Sequence, residues 1–438
     1  MGNFLPSTDA QQKEMLAAVG LTSFDQLYDA VPEGLLLKRD QLKVADGLSE
    51  LETAAAMEEM ADKNKVYKAI FRGAGAYNHY IPAIVGRVVN KEQFLTSYTP
   101  YQAEISQGVL QSIFEYQSEI CALTGMDAAN ASVYDGATAA AEAAAMCRDR
   151  KRSVTFISDA VQPEIMETVK TYCWGHGEKL VVVPAKGGRT DLEALQAMMD
   201  GETAGVIFQQ PNRFGVLEDA AALIAAIHEG GAKAVMSVNP ISLGMLKTPG
   251  ELGADICVGE GQPLGMALGF GGPYLGFMAA EKGMVRKLPG RIVGETVDKN
   301  GKRCYVLTLQ AREQHIRREK ASSNICSNQA LCAMTAAVYL AAMGPEGMKE
   351  VAGLCYDKAH YLAAELAKIG FAPAYDGPFF NEFVTTCPVN ADKALKALAD
   401  EGILGGLPVE GGLLWCCTEL NTKAQMDKVI AVLKEVQA

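Results

Sequence analysis

Short apolar runs rich in β-branched residues alternate with helix-forming segments between residues 153 and 258, and this alternation limits the possible fold more than any other feature. The runs are short and nearly continuous, which is typical of parallel strands buried on both faces. A repeated strand–helix order predicts right-handed crossovers and a doubly wound α/β sheet. The predicted strands are 153–157, 180–183, 205–208, 234–238 and 255–258, with helices at 162–172, 191–199 and 218–228 between them.

Helical patterns precede this region. Residues 1–65 are polar, and Ser49 followed by Glu52 has the spacing of a capping box, so we expect a helical packing arm that carries no chemistry. Residues 101–124 predict a long helix that Gly125 ends. Residues 136–146 are rich in alanine and predict another helix.

The order of elements changes after residue 280. The sequence Asp298-Lys299-Asn300-Gly301 predicts a hairpin turn, and 327–343 predicts an alanine-rich helix that ends at Gly344-Pro345. Residues 345–438 predict a smaller α/β unit, with its clearest strands at 380–386 and 412–418. We therefore expect three parts: an arm at 1–65, a large α/β domain at 66–325 and a small C-terminal α/β domain at 326–438.

The composition excludes several classes of protein. The 438 residues include 40 basic and 52 acidic side chains, a formal charge of −12 that disfavours nucleic-acid binding. No apolar run approaches the roughly 18–20 residues of a membrane helix, and the N-terminus lacks the regions of a secretory signal. The 11 cysteines form no Cys-x-x-Cys pair, so we expect free thiols and a cytoplasmic enzyme or enzyme subunit.

A glycine turn at Tyr134-Asp135-Gly136-Ala137-Thr138 opens the alanine-rich helix. Free backbone N–H groups at such a helix end can hold a phosphate. The alternative is simple capping by Asp135, whose negative charge competes with a phosphate for the same donors. A second glycine-rich segment, 269–276, does not fit a dinucleotide fingerprint and is better explained by close backbone approach.

Two aromatic and polar loops are candidates for lining a cleft. The first, 73–80, offers Tyr77, His79 and Tyr80, and the second, 98–104, offers Tyr98, Tyr101 and Gln102. A structural role is the alternative in both loops, because a lone histidine is usually structural and Pro100 suits the first turn of a helix.

Basic residues cluster at 310–320 in this acidic chain. Arg312, Arg317, Arg318 and Lys320 form either a solvated helix face or a docking site for an anion or an acidic partner. No metal-ligand spacing, nucleophile elbow or Cys/His dyad stands out, so we expect no metal site.

Five motifs together resemble one known family. They are GAGAYNHYIP at 73–82, YTPYQAEISQG at 98–108, DGAT at 135–138, GEGQPLG at 259–265 and PGRIVG at 289–294. This combination closely resembles the glycine cleavage system P-protein, and more narrowly its N-terminal half, which occurs as a separate subunit 1 (alpha) in some bacteria. The resemblance covers nearly the whole chain.

The resemblance implies a pyridoxal-phosphate-dependent transferase fold of the aspartate-aminotransferase type (fold type I). An active member needs a phosphate loop, an acid opposite the pyridine nitrogen and a Schiff-base lysine. Where the acid is expected the sequence has Asn239, and near the expected lysine it has Gln262 and Pro263, with no lysine from 248 to 281. We therefore expect no catalytic or cofactor-binding residue on this chain.

By the same resemblance, the chain pairs with subunit 2 (beta), which carries the lysine and pyridoxal phosphate, in an α2β2 assembly. The complex decarboxylates glycine and transfers the aminomethyl group to the lipoyl group of H-protein. We expect Tyr77, His79, Tyr80, Tyr98, Tyr101 and Gln102 to face the shared cleft, and Arg312, Arg317 and Arg318 to assist contacts with subunit 2 or H-protein. Two alternatives stay open, a self-sufficient pyridoxal-phosphate-dependent transferase and a non-catalytic scaffold.

Overall fold

The computed structural model describes residues 7–37, 41–97 and 99–437. The chain divides into two compact units at the Val66–Tyr67 bond. The first unit contains α1 (Asp9–Ala18), α2 (Glu50–Ala61) and 3-10 turns at Phe24–Tyr28 and Glu33–Leu35. The predicted capping box at the start of α2 is confirmed, because Ser49 accepts the Glu52 N–H while the Glu52 carboxylate accepts the Ser49 N–H.

The second unit contains all the strands of the described residues. These are β1 (Ala69–Ile70), β2 (Ala128–Ala129), β3 (Val154–Ser158), β4 (Leu180–Val183), β5 (Ala185–Lys186), β6 (Arg189–Thr190), β7 (Thr203–Gln210), β8 (Lys233–Val238), β9 (Ile256–Glu260), β10 (Gly276–Ala280), β11 (Ile292–Val297), β12 (Arg303–Thr308), β13 (Glu382–Thr385), β14 (Ile403–Leu404), β15 (Leu407–Val409) and β16 (Gly412–Cys416). Its helices are α3 (Ala83–Val89), α4 (Glu92–Leu95), α5 (Gln107–Thr124), α6 (Gly136–Cys147), α7 (Pro163–His176), α8 (Leu192–Met198), α9 (Ala220–Glu229), α10 (Pro249–Leu252), α11 (Gln314–Arg317), α12 (Ala330–Ala367), α13 (Ala391–Asp400) and α14 (Lys423–Gln437).

A seven-stranded sheet lies at the centre of this unit, in the order β2-β10-β9-β8-β7-β3-β4. The five predicted strands, β3, β4, β7, β8 and β9, pair in parallel, as expected from their apolar sequences. Strands β10 and β2 were not predicted, and both pairings of β10 are antiparallel. The sheet is therefore mostly parallel with an antiparallel edge.

Helices cover both faces of this sheet, so the sheet separates two apolar cores. One core includes side chains of α5, α9 and α12, and the other is formed largely by α6 and α7. This arrangement explains why the strands lack polar alternation, since all eight residues of β7 are buried.

A second, smaller sheet lies near the C-terminus. Strands β13, β16 and β15 pair antiparallel around the buried Trp415, and β1 pairs in parallel with β14. The apolar core beside these strands also contains side chains of α14 and of the last turns of α12. No helix in the described part of the chain is long and apolar enough to cross a membrane.

One predicted helix, and one of the alternatives for a basic segment, differ from the observed structure. The predicted helix 101–124 is wrong at its start, because α5 begins only at Gln107; it ends as expected at Gly125, whose φ is +69°. Of the two alternatives for the basic residues at 310–320, the structure does not support a continuous helix face, because a 3-10 turn at Gln310–Arg312, the four-residue α11 and another 3-10 turn at Arg318–Lys320 follow one another there.

Candidate functional site

A cavity of about 470 Å³ opens at the carboxyl ends of the parallel strands. Ligands of open α/β sheets bind at this edge. Gln209 near the end of β7, Asn239 after β8 and Glu260 at the end of β9 line it, together with the beginnings of α6 and α7 and the loop 74–77.

The N-terminus of α6 is occupied by carboxylates of the chain itself. Asp135 Oδ1 accepts the Thr138 N–H at 2.7 Å, and Glu260 Oε2 accepts the Gly136 N–H at 3.0 Å. Of the two alternatives for the glycine turn, the geometry favours capping over a phosphate site, because the Gly136 and Thr138 N–H groups that a phosphate would use already have carboxylate partners.

Glu260 holds two further backbone groups. Its Oε1 accepts the N–H groups of Gln262 and Leu275, both at 2.9 Å. Burial raises the pKa of this carboxyl and the charge of Asp135 adds to the rise, whereas the three N–H groups lower it, and the net direction is upward. The close approach requires glycine at 136, because a Cβ there would lie 2.8 Å from the backbone nitrogen of Glu260.

Gln262 lies near the expected position of the lysine, and both the oxygen and the nitrogen of its side-chain amide form hydrogen bonds. It accepts the Tyr77 N–H at 2.9 Å and donates to the carbonyl oxygens of Tyr77 at 2.9 Å and Met266 at 2.7 Å. This side chain is completely buried, and Pro263 beside it is also buried. Gln262 therefore joins the loop after β9 to the loop 74–77 and lies behind the cavity wall.

Asn239 occupies the position where the family resemblance places an acid. Its Oδ1 accepts the Ile241 N–H at 3.0 Å and so caps the following 3-10 turn. Its Nδ2 is buried and has no hydrogen-bond partner among the described residues.

The 73–80 loop places its three candidate side chains in different surroundings. Tyr77 lines the cavity, and its hydroxyl donates to Glu382 Oε2 at 2.7 Å, while Glu382 Oε1 accepts the Ala74 N–H at 2.7 Å. Burial raises the pKa of Glu382 to about 6, although both hydrogen bonds lower it. His79 and Tyr80 bind Glu419 instead, at 2.7 Å from His79 Nδ1 and 2.5 Å from the Tyr80 N–H.

Cys355 lies in the same cluster, 3.5 Å from Glu419 Oε2. Burial raises the pKa of this thiol well above its usual range, and the charge of Glu419 adds to the rise, so the thiol keeps its proton and donates to the carboxylate. The ligand atoms of His79, Cys355 and Glu419 lie within 4.8 Å of one another. His79 and Cys355 each hydrogen-bond to Glu419. The absence of a metal stays our prediction.

Tyr98 lies outside the described residues. Tyr101 and Gln102 line a second cavity of about 700 Å³ beside α4 and the beginning of α5. The Tyr101 hydroxyl accepts a hydrogen bond from the buried Arg291 at 2.9 Å, and Arg291 also donates to Asn328 at 2.9 Å. Tyr101 and Tyr77 thus belong to separate cavities.

The three candidate arginines also differ. The Arg312 guanidinium is half-buried and donates to the carbonyl oxygens of Leu288 and Gly290, so it stabilises that loop. Arg317 and Arg318 are exposed. Only these two are placed to contact another molecule.

Sequence reasoning missed several polar residues of these sites. Glu260 lies inside the motif at 259–265 and Arg291 inside the motif at 289–294, and these motifs are the signal in the sequence that could find them. Glu382 and Glu419 are more than 300 residues from the loop 73–80 to which they hydrogen-bond, and no local sequence pattern indicates this role.

Comparison with known proteins identifies the family. A family model described as glycine cleavage system P-protein matches residues 2–433. The chain is similar to proteins named probable glycine dehydrogenase (decarboxylating) subunit 1 from Moorella thermoacetica, at 49% identity, and Desulfitobacterium hafniense, at 48%. Each match covers 99% of this chain and 100% of the relative.

Solved structures agree with this result. A crystal structure of glycine decarboxylase (P-protein) of the glycine cleavage system, in inhibitor-bound form, matches with a TM-score of 0.93 and 42% identity over 99% of this chain and 100% of that one. An alanine–glyoxylate aminotransferase from Nostoc sp. matches with a TM-score of 0.59 and 16% identity over 92% and 100%, which shows the fold alone. The predicted fold type I architecture and the resemblance are both confirmed. The chain belongs to the glycine cleavage system P-protein family.

Proposed function

We propose that this chain is the non-catalytic subunit 1 of a glycine dehydrogenase (decarboxylating). In this proposal the partner subunit 2 holds pyridoxal phosphate, which supplies an electron sink for the loss of the glycine carboxyl group. The complex, an α2β2 assembly, then passes the aminomethyl group to the lipoyl group of H-protein. The name of the relatives, subunit 1, supports the existence of a partner.

The observation that carries this proposal is the position of Glu260. A phosphate-bearing cofactor needs the N–H groups at the start of α6, and Glu260 already accepts the one from Gly136. A phosphate placed there would lie beside this carboxylate and Asp135. No lysine lies between residues 248 and 281, and Asn239 stands where the family resemblance places an acid. The residues of this cavity therefore do not fit the cofactor.

The chain's own residues support a positioning role. Gln262 and Glu382 fix the loop that carries Tyr77, and Arg291 fixes Tyr101. Side chains held in this way lose little entropy when a partner binds, so they suit a surface that completes a neighbouring site. We propose that Tyr80, Tyr101 and Gln102, which are exposed, contribute to the shared cleft.

Reconstitution tests the proposal. Each subunit alone and the mixture are assayed for glycine-dependent exchange of bicarbonate in the presence of pyridoxal phosphate and lipoylated H-protein. We expect activity only in the mixture and no borohydride-stable attachment of cofactor to this chain. Attachment to this chain would instead support a self-sufficient transferase, and full activity of the partner alone would support a scaffold role.

The exposed arginines give a sharper prediction. Replacing Arg317 with glutamate reverses a charge on the basic segment, so we expect weaker assembly with subunit 2 or about tenfold weaker binding of H-protein. The matched control is Lys349→Glu, which reverses an exposed charge on α12. Analytical ultracentrifugation and titration with H-protein measure the two effects, and values equal to those of the control would contradict the assigned role.

The proposed location is the cytoplasm. All 11 cysteines are free thiols, which fits a reducing compartment. A fluorescent fusion expressed in the source cell tests this part of the proposal.

A further inference from the structure

The cavity at the end of the parallel strands contains two hydrogen-bond donors without partners. Gln162, 6% exposed, has its backbone N–H bound to Gln209 at 2.8 Å, but its side-chain Nε2 has no partner among the described residues. Asn239 Nδ2 is buried and equally unpartnered. Buried polar groups in folded proteins normally have a partner, so two such donors lining one cavity indicate that an acceptor from outside the chain completes them.

The charge of the cavity restricts what that molecule can be. Asp135, Glu164 and Glu260 line it, and no lysine, arginine or histidine is among its described lining residues. Glu260 is engaged by three backbone N–H groups, whereas Glu164 is exposed at the first turn of α7 and Asp135 is half-buried. An anion would therefore be repelled, and a cation would be attracted on the exposed side of the cavity.

We propose that this cavity binds a small primary ammonium compound that also carries an oxygen acceptor, of the amino-acid and amino-amide class. The ammonium group lies towards Asp135 and Glu164, and the oxygen accepts from Gln162 and Asn239. The cavity of about 470 Å³ is large enough for such a molecule with several waters. This inference goes beyond the proposed function, since it concerns a binding site on this chain that is separate from the catalytic site proposed for the partner subunit.

Calorimetric titration of the full chain, without its partner subunit, tests the inference with four probes. We expect glycinamide and glycine to bind, acetamide, which lacks the ammonium group, to bind at least tenfold more weakly, and pyridoxal phosphate not to bind. Absence of binding by both amines, or equal binding by acetamide, would overturn the inference. Binding of pyridoxal phosphate would contradict the proposed function instead, so the two failures are distinguishable.

Variants locate the ligand. Gln162→Met removes the unpartnered Nε2 donor without adding a charge, so we expect about a tenfold rise in the Kd for glycinamide, the usual effect of one hydrogen bond. Glu164→Gln changes an exposed residue, and we expect it to weaken the binding of glycinamide and to leave the binding of acetamide unchanged. Gln196→Glu, on the exposed face of α8, is the matched control. An unchanged Kd in both cavity variants would show that the amine binds elsewhere.

Discussion

Glu260 accepts N–H groups from Gly136 and Leu275, which are 124 and 15 residues away in sequence, and from the nearby Gln262. One carboxylate thus connects the start of α6, the end of β9 and the segment leading into β10. Hydrogen bonds to a charged acceptor are each worth about 1.5–3 kcal/mol, so this side chain stabilises the edge at which open α/β sheets bind ligands.

Gly136→Ala tests this arrangement at the residue scale. A Cβ at 136 would lie 2.8 Å from the Glu260 backbone nitrogen and 3.0 Å from its Cα, so the backbone has to move. We expect a loss of about 1–3 kcal/mol in the free energy of unfolding. Gly108→Ala in α5, where a Cβ meets nothing within 4 Å, is the control and should gain about 0.5–1 kcal/mol. Equal effects in urea denaturation would show that the contact does not constrain residue 136.

Among the elements, α12 shows how a predicted helix end can become a bend. The sequence predicts an end at Gly344-Pro345, and the backbone does leave helical geometry at Gly344, with φ 60° and ψ 179°. The helix resumes at Pro345, which is suited to a first helical turn, and continues to Ala367. The part around Cys332 to Cys355 packs in the sheet core, and the part around Ala359 to Leu366 packs in the C-terminal core. The proposed division at residue 326 therefore falls beside a helix that joins both cores.

Gly344→Ala is the prediction for this element. Alanine rarely adopts the Gly344 backbone angles, so we expect a cost of about 1–3 kcal/mol in the free energy of unfolding. Gly353→Ala is a matched control within the same helix, because a Cβ there meets nothing within 4 Å and the backbone is helical; it should gain about 0.5–1 kcal/mol. Thermal unfolding distinguishes the two, and a neutral Gly344→Ala would mean that the bend can straighten.

The loop 99–106 shows why sequence composition places the start of α5 too early. Its residues have helix-compatible composition, but Gln107 bonds the carbonyl oxygens of Ala103 and Tyr305, at 2.7 and 2.8 Å. The second of these partners lies in β12, 198 residues away. The helix therefore begins where tertiary contacts permit, and composition alone cannot place that boundary.

At the scale of the whole molecule, buried carboxyl groups determine how stability depends on pH. Burial raises the pKa of Glu142 from its usual value of 4.5 to about 7, although a hydrogen bond from Ser323 and the charge of Arg148 lower it. Burial likewise raises the pKa of Glu382 to about 6. The folded state then holds more protons than the unfolded state between about pH 4.5 and 7, so stability falls as pH rises through this window.

We therefore expect the Tm to decline between about pH 5 and 8, and the decline to be smaller in Glu142→Gln, which no longer titrates. Glu229→Gln, at an exposed position of α9, is the control and should follow the parent curve. The opposite loss should occur as the pH falls below 4.5, the usual pKa of a glutamate, because hydrogen bonds from His79 and the Tyr80 N–H outweigh burial and lower the pKa of Glu419 from that value. Scanning calorimetry measures the change in Tm on both the acid and the neutral side. A Tm that is constant from pH 5 to 8 would contradict the raised pKa values of the buried carboxyl groups.

The sequence by itself determined the order of elements, the parallel core strands, the family and the lack of a lysine between 248 and 281, because these depend on local periodicity and on short motifs. Only the tertiary structure decided which polar groups meet. Glu260 at the start of α6, Glu382 on Tyr77, Glu419 on His79 and Arg291 on Tyr101 all pair across more than 120 residues. Such pairs form where the chain brings distant segments together, and a carboxylate looks the same in sequence whether it faces solvent or a backbone N–H.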